Sequence, residues 1–163
     1  MKILVVSDTH GYAESIELIL PHEGHIDLLI HCGDIEGQAD YIRSLVDCPT
    51  IMVAGNNDWT MALDKEVTTK IDDYRVWITH GHRYGVSLGM EMLEDEAVSR
   101  NVDWCLYGHT HRPRLDTKGH ITYFNPGSLA MPRQLGRTPT YGTIVIDQEH
   151  EARFSIKELQ LKK

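Results

Sequence analysis

The chain has 163 residues, a length that suits one domain with a substantial hydrophobic core. Its formal net charge is -8 and its lysines and arginines do not cluster, which argues against sequence-specific binding of nucleic acid. Three scattered cysteines exclude a disulfide framework, and the apolar run after Met1 is too short for a signal peptide or a membrane span. We therefore expect a cytoplasmic protein, not bound to membranes, with a single domain over residues 1–163.

The first half of the chain alternates short apolar runs with helix-like segments. Short, β-branched runs predict three buried strands, at residues 2–7, 26–31 and 50–54. Helices are predicted at residues 12–20 and 38–46, and Pro21 is expected to end the first of them. This β-loop-α order is typical of an α/β protein, whose ligands gather at the carboxyl ends of the strands.

The second half of the chain predicts closely spaced strands, which indicate an antiparallel portion. A hairpin is expected around Asp72-Asp73, between strands at residues 65–71 and 75–79, and a helix at residues 88–100. The remaining strands are predicted at residues 102–107, 113–117, 120–124, 140–147 and 152–159. The two halves together predict an α/β fold, a four-layer α-β-β-α sandwich of two mixed β-sheets flanked by helices.

Polar clusters follow five of the predicted strands, where each strand gives way to a loop. They are Asp8-x-His10, Gly33-Asp34, Gly55-Asn56-Asn57-Asp58, His80-Gly81-His82 and Gly108-His109-Thr110-His111. A single histidine or Gly-Asp pair is ordinarily a satisfied residue or a turn. Five clusters at equivalent places favour one shared metal or catalytic site instead.

The residue types in the clusters indicate which metals fit. Mixed carboxylate and imidazole ligands suit manganese, iron, zinc, nickel or cobalt better than calcium. No cluster contains a cysteine, and the strand position of Cys32 indicates packing, so a structural Cys-type zinc site is excluded.

In this order, the clusters resemble the five motifs of the calcineurin-like metallophosphoesterases, and the resemblance spans about residues 3 to 147. The short chain and the segment Asn125-Pro126-Gly127-Ser128 resemble the small phosphodiesterase branch often labelled YfcE-like. The resemblance implies two divalent metal ions, manganese foremost, with nickel, zinc, iron, cobalt or magnesium as alternatives. It implies one ion held by Asp8, His10 and His111, another held by Asn56, His80 and His109, and Asp34 as the bridge between them.

The resemblance also implies a function, the hydrolysis of a small phosphodiester by a metal-activated bridging hydroxide. Asp58 would orient a neighbouring group, and His82 or Arg112 would stabilise charge on the phosphoryl oxygens, although a solvated loop residue is the simpler interpretation of Arg112. Asn57 is a departure, because many family members carry at this position a histidine that donates a proton to the leaving group. An amide cannot act as a general acid at useful pH, which leaves His82 as a substitute donor.

Other functions stay open at this stage. A metal-binding scaffold for protein interaction would expose apolar side chains, for which the candidates are Trp59, Met61, Leu63, Met90 and Met92. Core packing or an active-site wall is the simpler role for these residues. Hydrolysis of a phosphomonoester or a phosphoprotein is a third function, although the chain has no obvious inserted domain to recognise a protein.

Two loop segments each allow two interpretations, and the oligomeric state is also open. Asn125 and Ser128 either border the phosphate or shape a Pro-Gly turn. Arg133 and Arg137 either meet a phosphate-rich substrate or, more simply, lie solvated in a loop. A homodimer is the common default for a soluble protein of this kind.

Overall fold

The computed structural model describes residues 1–60 and 62–159. The strands are β1 (Lys2–Val6), β2 (Leu28–His31), β3 (Thr50–Met52), β4 (Glu66–Ile71), β5 (Tyr74–Thr79), β6 (Trp104–Leu106), β7 (Arg114–Lys118), β8 (Ile121–Asn125), β9 (Thr140–Ile146) and β10 (Ala152–Glu158). The helices are α1 (Glu14–Glu23), α2 (Ala39–Ser44) and α3 (Glu91–Ser99), and a short 3₁₀ turn spans His82–Tyr84. Every predicted strand and helix is found, with bounds shifted by a few residues, and the hairpin turns at Asp72-Asp73 as expected.

The strands form two five-stranded sheets, in the orders β10-β9-β1-β2-β3 and β4-β5-β6-β8-β7. Both sheets are mixed. In the first, β1, β2 and β3 run parallel and β9 and β10 are antiparallel additions; in the second, β5, β6 and β8 run parallel. The parallel strands matter for function, because their carboxyl ends lie together at one edge of each sheet.

Three hydrophobic clusters show how the layers stack. The central cluster joins Ile3 and Ile30 of the first sheet to Ile78 and Phe124 of the second, so the two sheets pack face to face. The outer face of the first sheet packs on α1 and α2, and the outer face of the second packs on α3. This arrangement confirms the predicted four-layer sandwich of two mixed sheets flanked by helices.

The prediction that Pro21 ends the first helix was wrong, because α1 continues through Pro21 to Glu23. A proline so near the end of a helix removes only one backbone hydrogen bond. The last turn is held from outside, since the buried carboxylate of Glu23 accepts bonds from Lys157 and from the hydroxyl of Tyr141. Within the part of the chain that is described, no helix is long and apolar enough to cross a bilayer.

Candidate metal centre

The polar clusters all lie where the parallel strands end. Asp8 follows β1, Asp34 follows β2, Asn56 follows β3, His80 follows β5 and His109 follows β6. The loops are tied to one another through the backbone, as in the bonds from the His10 amide to the Asp34 carbonyl and from the Gly108 amide to the His80 carbonyl. The two sheets therefore present their polar loops to a common centre.

The backbone at this centre is unusual. Five of the predicted ligands have positive φ angles, between 46° and 68°: Asp8, His10, Asp34, His109 and His111. Residues other than glycine rarely adopt this region, and such conformations cluster at functional sites. The loops accept local strain in order to aim these side chains inward.

A first group of side chains brings together Asp8, His10, Asp34 and His111, whose ligand atoms all lie within 4.8 Å of one another. The Nε2 atoms of His10 and His111 are 3.0 Å apart, and Asp8 Oδ1 lies 3.1 Å from His111 Nε2. All four residues are largely shielded from water. This arrangement has the size and the donor types of a metal site.

The outer nitrogens of these two imidazoles fix the rings. His10 Nδ1–H donates to Glu36 Oε1 and His111 Nδ1–H donates to the carbonyl of Met131, each at 2.7 Å. Carboxylates and carbonyls only accept hydrogen bonds, so each neutral ring carries its proton on Nδ1 and a lone pair on Nε2. Metal-binding histidines are oriented in this way in known metal sites.

The carboxylate of Asp8 is satisfied on one side only. Its Oδ2 accepts bonds from Ser7 Oγ at 2.6 Å and from the His109 amide at 3.1 Å. Its Oδ1 is buried and accepts no hydrogen bond of regular geometry from any described residue. A buried carboxylate oxygen without a donor is costly, and a cation beside it would remove that cost. The residues present therefore fit a bound metal ion.

A second group gathers around the amide oxygen of Asn56. His80 Nε2 and His109 Nδ1 each lie 3.0 Å from Asn56 Oδ1. His80 Nδ1–H donates to the carbonyl of Cys32 at 2.7 Å, so the lone pair of the neutral His80 ring also faces inward. An imidazole lone pair opposed to an amide oxygen is again an arrangement that a cation stabilises.

Asp34 lies between the two groups. Its Oδ2 is 3.3 Å from His80 Nε2 and 3.8 Å from His10 Nε2. Burial raises the pKa of Asp34, but the neighbouring His80 and the two bonds from Asn57 outweigh burial, and its pKa ends well below the ordinary value. The group is therefore a carboxylate, with an oxygen near both sets of imidazoles.

The side chain of Asn57 is hydrogen-bonded to Asp34. Its backbone amide donates to Asp34 Oδ1 and its Nδ2 donates to Asp34 Oδ2, each at 2.9 Å. The residue that stands where many relatives are expected to carry a proton donor therefore holds the Asp34 carboxylate in place.

Asp58 does not join either group of metal-ligand candidates. It is 1% exposed, and its two oxygens accept bonds from the backbone amides of Ile35, Glu36 and Gly55. These bonds clamp the loop after β2 to the loop after β3. The residue positions the loops that carry Asp34 and Asn56.

His82 lies at the edge of the second group, with its ring centroid 5.4 Å from that of His80 and 6.0 Å from that of His109. Its Nδ1 is buried and has no hydrogen-bond partner among the described residues. Burial, and then the nearby His80 and His109, lower the pKa of His82. The ring borders a cleft that also touches Asn56 and Trp59.

Two glycines of the motifs are required by close packing. A Cβ on Gly108 would stand 2.7 Å from Asp8 Oδ2 and still nearer to Ser7 Oγ. A Cβ on Gly55 would collide with Asp34 Oδ1 and with the Asp34 backbone. Real Cβ atoms do not approach so closely, so any side chain here displaces a predicted metal ligand.

The sequence reasoning missed several supporting residues. Glu36 orients His10, and Ser7 and the carbonyl of Met131 support Asp8 and His111. Buried His31 is also structural, because its Nε2 bonds Thr9 Oγ1 and burial lowers its pKa to about 4. Of these residues, only Glu36 could have been suspected from the sequence, because it is acidic and lies two residues beyond Asp34.

The Asn125–Ser128 segment shapes the loops. Asn125 Nδ2 donates to the Gly108 carbonyl and to Thr110 Oγ1, and its Oδ1 accepts from Gly127. Ser128 Oγ donates to the Asp8 carbonyl. Both side chains are buried and occupied by these bonds, which favours the turn interpretation over contact with phosphate.

The candidate apolar residues divide into two kinds. Leu63 and Met90 are partly buried against hydrophobic clusters, whereas Trp59 and Met92 are 85% and 61% exposed. Met61 lies outside the described residues. Of the cysteines, Cys32 is buried, in keeping with its predicted packing role, Cys105 is also buried, and Cys48 is partly buried.

Comparison with known proteins places this geometry in a family. Residues 1–149 match the calcineurin-like phosphoesterase superfamily domain. The phosphodiesterase YfcE of Escherichia coli strain K12 is 30% identical over 169 residues, covering 88% of this chain and 87% of that protein.

Solved structures share the same fold. A crystal structure from Streptococcus pneumoniae, described as a predicted phosphoesterase, has a TM-score of 0.79 at 27% identity and covers 96% of this chain and 97% of that one. Vps29 of Entamoeba histolytica, crystallised with zinc, has a TM-score of 0.75 at 18% identity, covering 98% of this chain and 100% of that one, and shows the fold alone. The chain therefore belongs to the calcineurin-like phosphoesterase superfamily and is a metallophosphoesterase by family.

Proposed function

We propose that the protein is a dinuclear metal-dependent phosphodiesterase that hydrolyses a small phosphodiester. The observation that carries this proposal is the pair of facing groups, Asp8, His10 and His111 on one side and Asn56, His80 and His109 on the other, with Asp34 between them. Manganese is the preferred metal, with nickel, zinc, iron, cobalt or magnesium as alternatives.

Bound divalent ions would supply two things here, a lowered pKa of a coordinated water and stabilisation of charge on the phosphoryl oxygens. The protein supplies the geometry. Asp34 is held on both oxygens by Asn57, and Asp58 fixes the two loops that present Asp34 and Asn56. Such pre-oriented ligands need no rearrangement when substrate arrives.

The candidate proton donor to the leaving group is His82. Its buried Nδ1 has no hydrogen-bond partner among the described residues and its ring borders the cleft beside Asn56, whereas the Asn57 side chain is bonded to Asp34. An amide is in any case unable to act as a general acid. We therefore expect esters whose leaving group needs no proton to be hydrolysed best.

A metal-binding scaffold is the alternative function, favoured by the exposed Trp59 and Met92. The complete set of seven predicted ligands favours the enzyme, because a scaffold has no need for matched imidazole pairs.

We also propose a cytoplasmic location, in keeping with three unpaired cysteines, and a substrate that is a small molecule. A homodimer is the default assembly.

Turnover of bis-p-nitrophenyl phosphate by the manganese-loaded protein tests the proposal. We expect hydrolysis that requires added metal and stops when the metal is chelated. Stoichiometric binding of metal without turnover, with each of the six metals in turn, would reject the enzyme in favour of the scaffold.

A further inference from the structure

A second cleft opens beside the metal centre. Its volume is about 460 Å³, within the range of roughly 300–1,000 Å³ that is usual for small-molecule sites. Thr110, which stands between the predicted ligands His109 and His111, forms part of its wall. The wall of the cleft therefore includes a residue that is adjacent in the chain to a predicted ligand of each group.

The charge of this cleft is opposite to that of the whole protein. Three arginines, Arg112, Arg114 and Arg133, contribute to its lining, and none of the described lining residues is acidic. Arg114 is paired with Asp116 at 2.8 Å, whereas Arg112 and Arg133 form no ion pair with any described residue. In a chain with a net charge of -8, two exposed guanidinium groups that form no ion pair in the described part of the chain make this cleft locally cationic, as anion recognition requires.

Both unpaired arginines are held close to the metal centre by the backbone. Arg112 directly follows His111 in the chain. The Arg133 amide donates to the His111 carbonyl at 3.0 Å, and His111 Nδ1 donates to the Met131 carbonyl at 2.7 Å. The loop that carries Arg133 is thus pinned to a predicted metal ligand, which is not the behaviour of a free solvated loop.

The remaining residues that line the cleft are mostly apolar. Val86, Met90 and Pro113 give the cleft an apolar side, and Tyr107 closes part of it. A ligand with an organic body and an anionic end matches such a surface, because the body covers apolar side chains while the arginines pair with the anion.

We propose that this cleft binds a second phosphate group of the substrate, so that the preferred substrates are phosphodiesters whose organic part carries a further phosphate. The inference rests on the proposed function, since it assigns the substrate class of the same site. Arg112 and Arg133 are the residues that recognise this phosphate, through charge-assisted hydrogen bonds. Arg137 takes no part, because it does not line the cleft.

A matched pair of substrates tests the proposal by kinetics. Thymidine 5′-(p-nitrophenyl phosphate) is compared with the same ester carrying a 3′-phosphate, so that both release the same leaving group. We expect the manganese-loaded protein to prefer the 3′-phosphate ester by about tenfold or more in kcat/KM, mainly through KM. The variant R112Q/R133Q is expected to bring this ratio close to one.

The control variant is R75Q/R153Q, which removes the same charge from exposed positions in β5 and β10. Arg75 lies at the end of β5 opposite to His80, away from the metal centre. The control is expected to keep the preference of the wild type, which separates local recognition from the overall charge of the protein.

A binding measurement reports on the cleft without catalysis. Isothermal titration calorimetry with inorganic pyrophosphate is carried out on metal-free protein, in which the proposed ligands of the metal centre are carboxylates, imidazoles and the Asn56 amide. We expect pyrophosphate to bind the wild type and the control, and the dissociation constant to rise at least about tenfold in R112Q/R133Q.

The two arms distinguish the failure of this inference from the failure of the proposed function. Equal kcat/KM for the two esters in an active wild type, or pyrophosphate binding that survives R112Q/R133Q, overturns the second phosphate site. Absence of turnover of both esters with every metal contradicts the proposed function, and the calorimetry then decides the anion site by itself.

Discussion

His10 and His111 point their Nε2 atoms at each other across 3.0 Å, while each ring donates its Nδ1–H to an acceptor outside the centre. Two lone pairs at this distance repel unless a proton or a cation lies between them. The unsatisfied Asp8 Oδ1 faces the same space. These three atoms define the position at which we expect the first metal ion.

Replacing one histidine of either group by alanine should remove the metal ion that this group holds. The wild type is expected to hold two manganese ions per chain, and His111→Ala and His80→Ala about one each, measured by elemental analysis after dialysis. His25→Ala is the control, because the side chain of His25 is 84% exposed and pairs with Asp27, away from the metal-ligand candidates. Two ions retained at normal affinity in His111→Ala would contradict the assignment.

A single methyl group at Gly108 should disrupt the site from within. Gly108→Ala places a Cβ against Ser7 Oγ and Asp8 Oδ2, so we expect loss of metal binding and destabilisation of about 1–3 kcal/mol from overpacking. Gly119→Ala is a useful comparison, since a Cβ there meets nothing within 4 Å. Because Gly119 has a positive φ, the Gly119→Ala protein should lose some stability but keep its bound metal. Calorimetric titration with manganese and urea unfolding measure both effects; normal metal affinity in Gly108→Ala would refute the packing argument.

The leaving group should reveal the role of His82. If His82 protonates the departing oxygen, His82→Ala lowers the hydrolysis of an alkyl phosphodiester by about 10²-fold or more, and that of bis-p-nitrophenyl phosphate much less. Steady-state kinetics on both esters give the ratio. An equal loss on the two substrates, with chemistry limiting, assigns His82 to binding or packing instead of proton transfer.

The buried Glu23 should make stability depend on acid pH. Burial alone raises its pKa, but Lys2, Lys157 and Tyr141 lower it from 4.5 to about 2. A carboxylate with a lowered folded-state pKa stabilises the protein fully above pH 4.5, and the contribution disappears as the pH falls through about 2.

Glu23→Gln is therefore expected to cost about 3 kcal/mol of unfolding free energy at pH 7, from the size of that pKa shift. The difference from the wild type should shrink steadily below pH 4.5. Urea unfolding across this range measures it, with Glu17→Gln on the exposed face of α1 as the control. A difference that is the same at pH 7 and at pH 3 would show that Glu23 acts through packing alone.

Much of this centre was predictable, because strand ends and ligand types both leave local signals. The alternation of apolar runs located every strand, and the Asp, Asn and His residues that follow them are the ones that the structure gathers. The end of α1 was not predictable from Pro21, since the last turn depends on contacts from Lys157 and Tyr141 that are distant in sequence.

The roles of Asn57 and Ser128 were hidden for the same reason. Their partners, Asp34 and the Asp8 carbonyl, come from other loops, 23 and 120 residues away in the chain. The cationic cleft could not be predicted from the sequence either, because Arg112 and Arg133 are separated by the β7–β8 hairpin and line one cleft only in the folded protein. Local pattern therefore predicts which polar side chains meet at this centre, but it does not predict the contacts that support them.

Anomalous X-ray diffraction from crystals grown with manganese tests whether the centre holds two ions bridged by Asp34. We expect two manganese peaks about 3.5–4 Å apart. One should lie among Asp8, His10 and His111, the other among Asn56, His80 and His109, with Asp34 in contact with both. A single peak at saturating manganese, or two peaks of which Asp34 touches only one, would contradict this expectation.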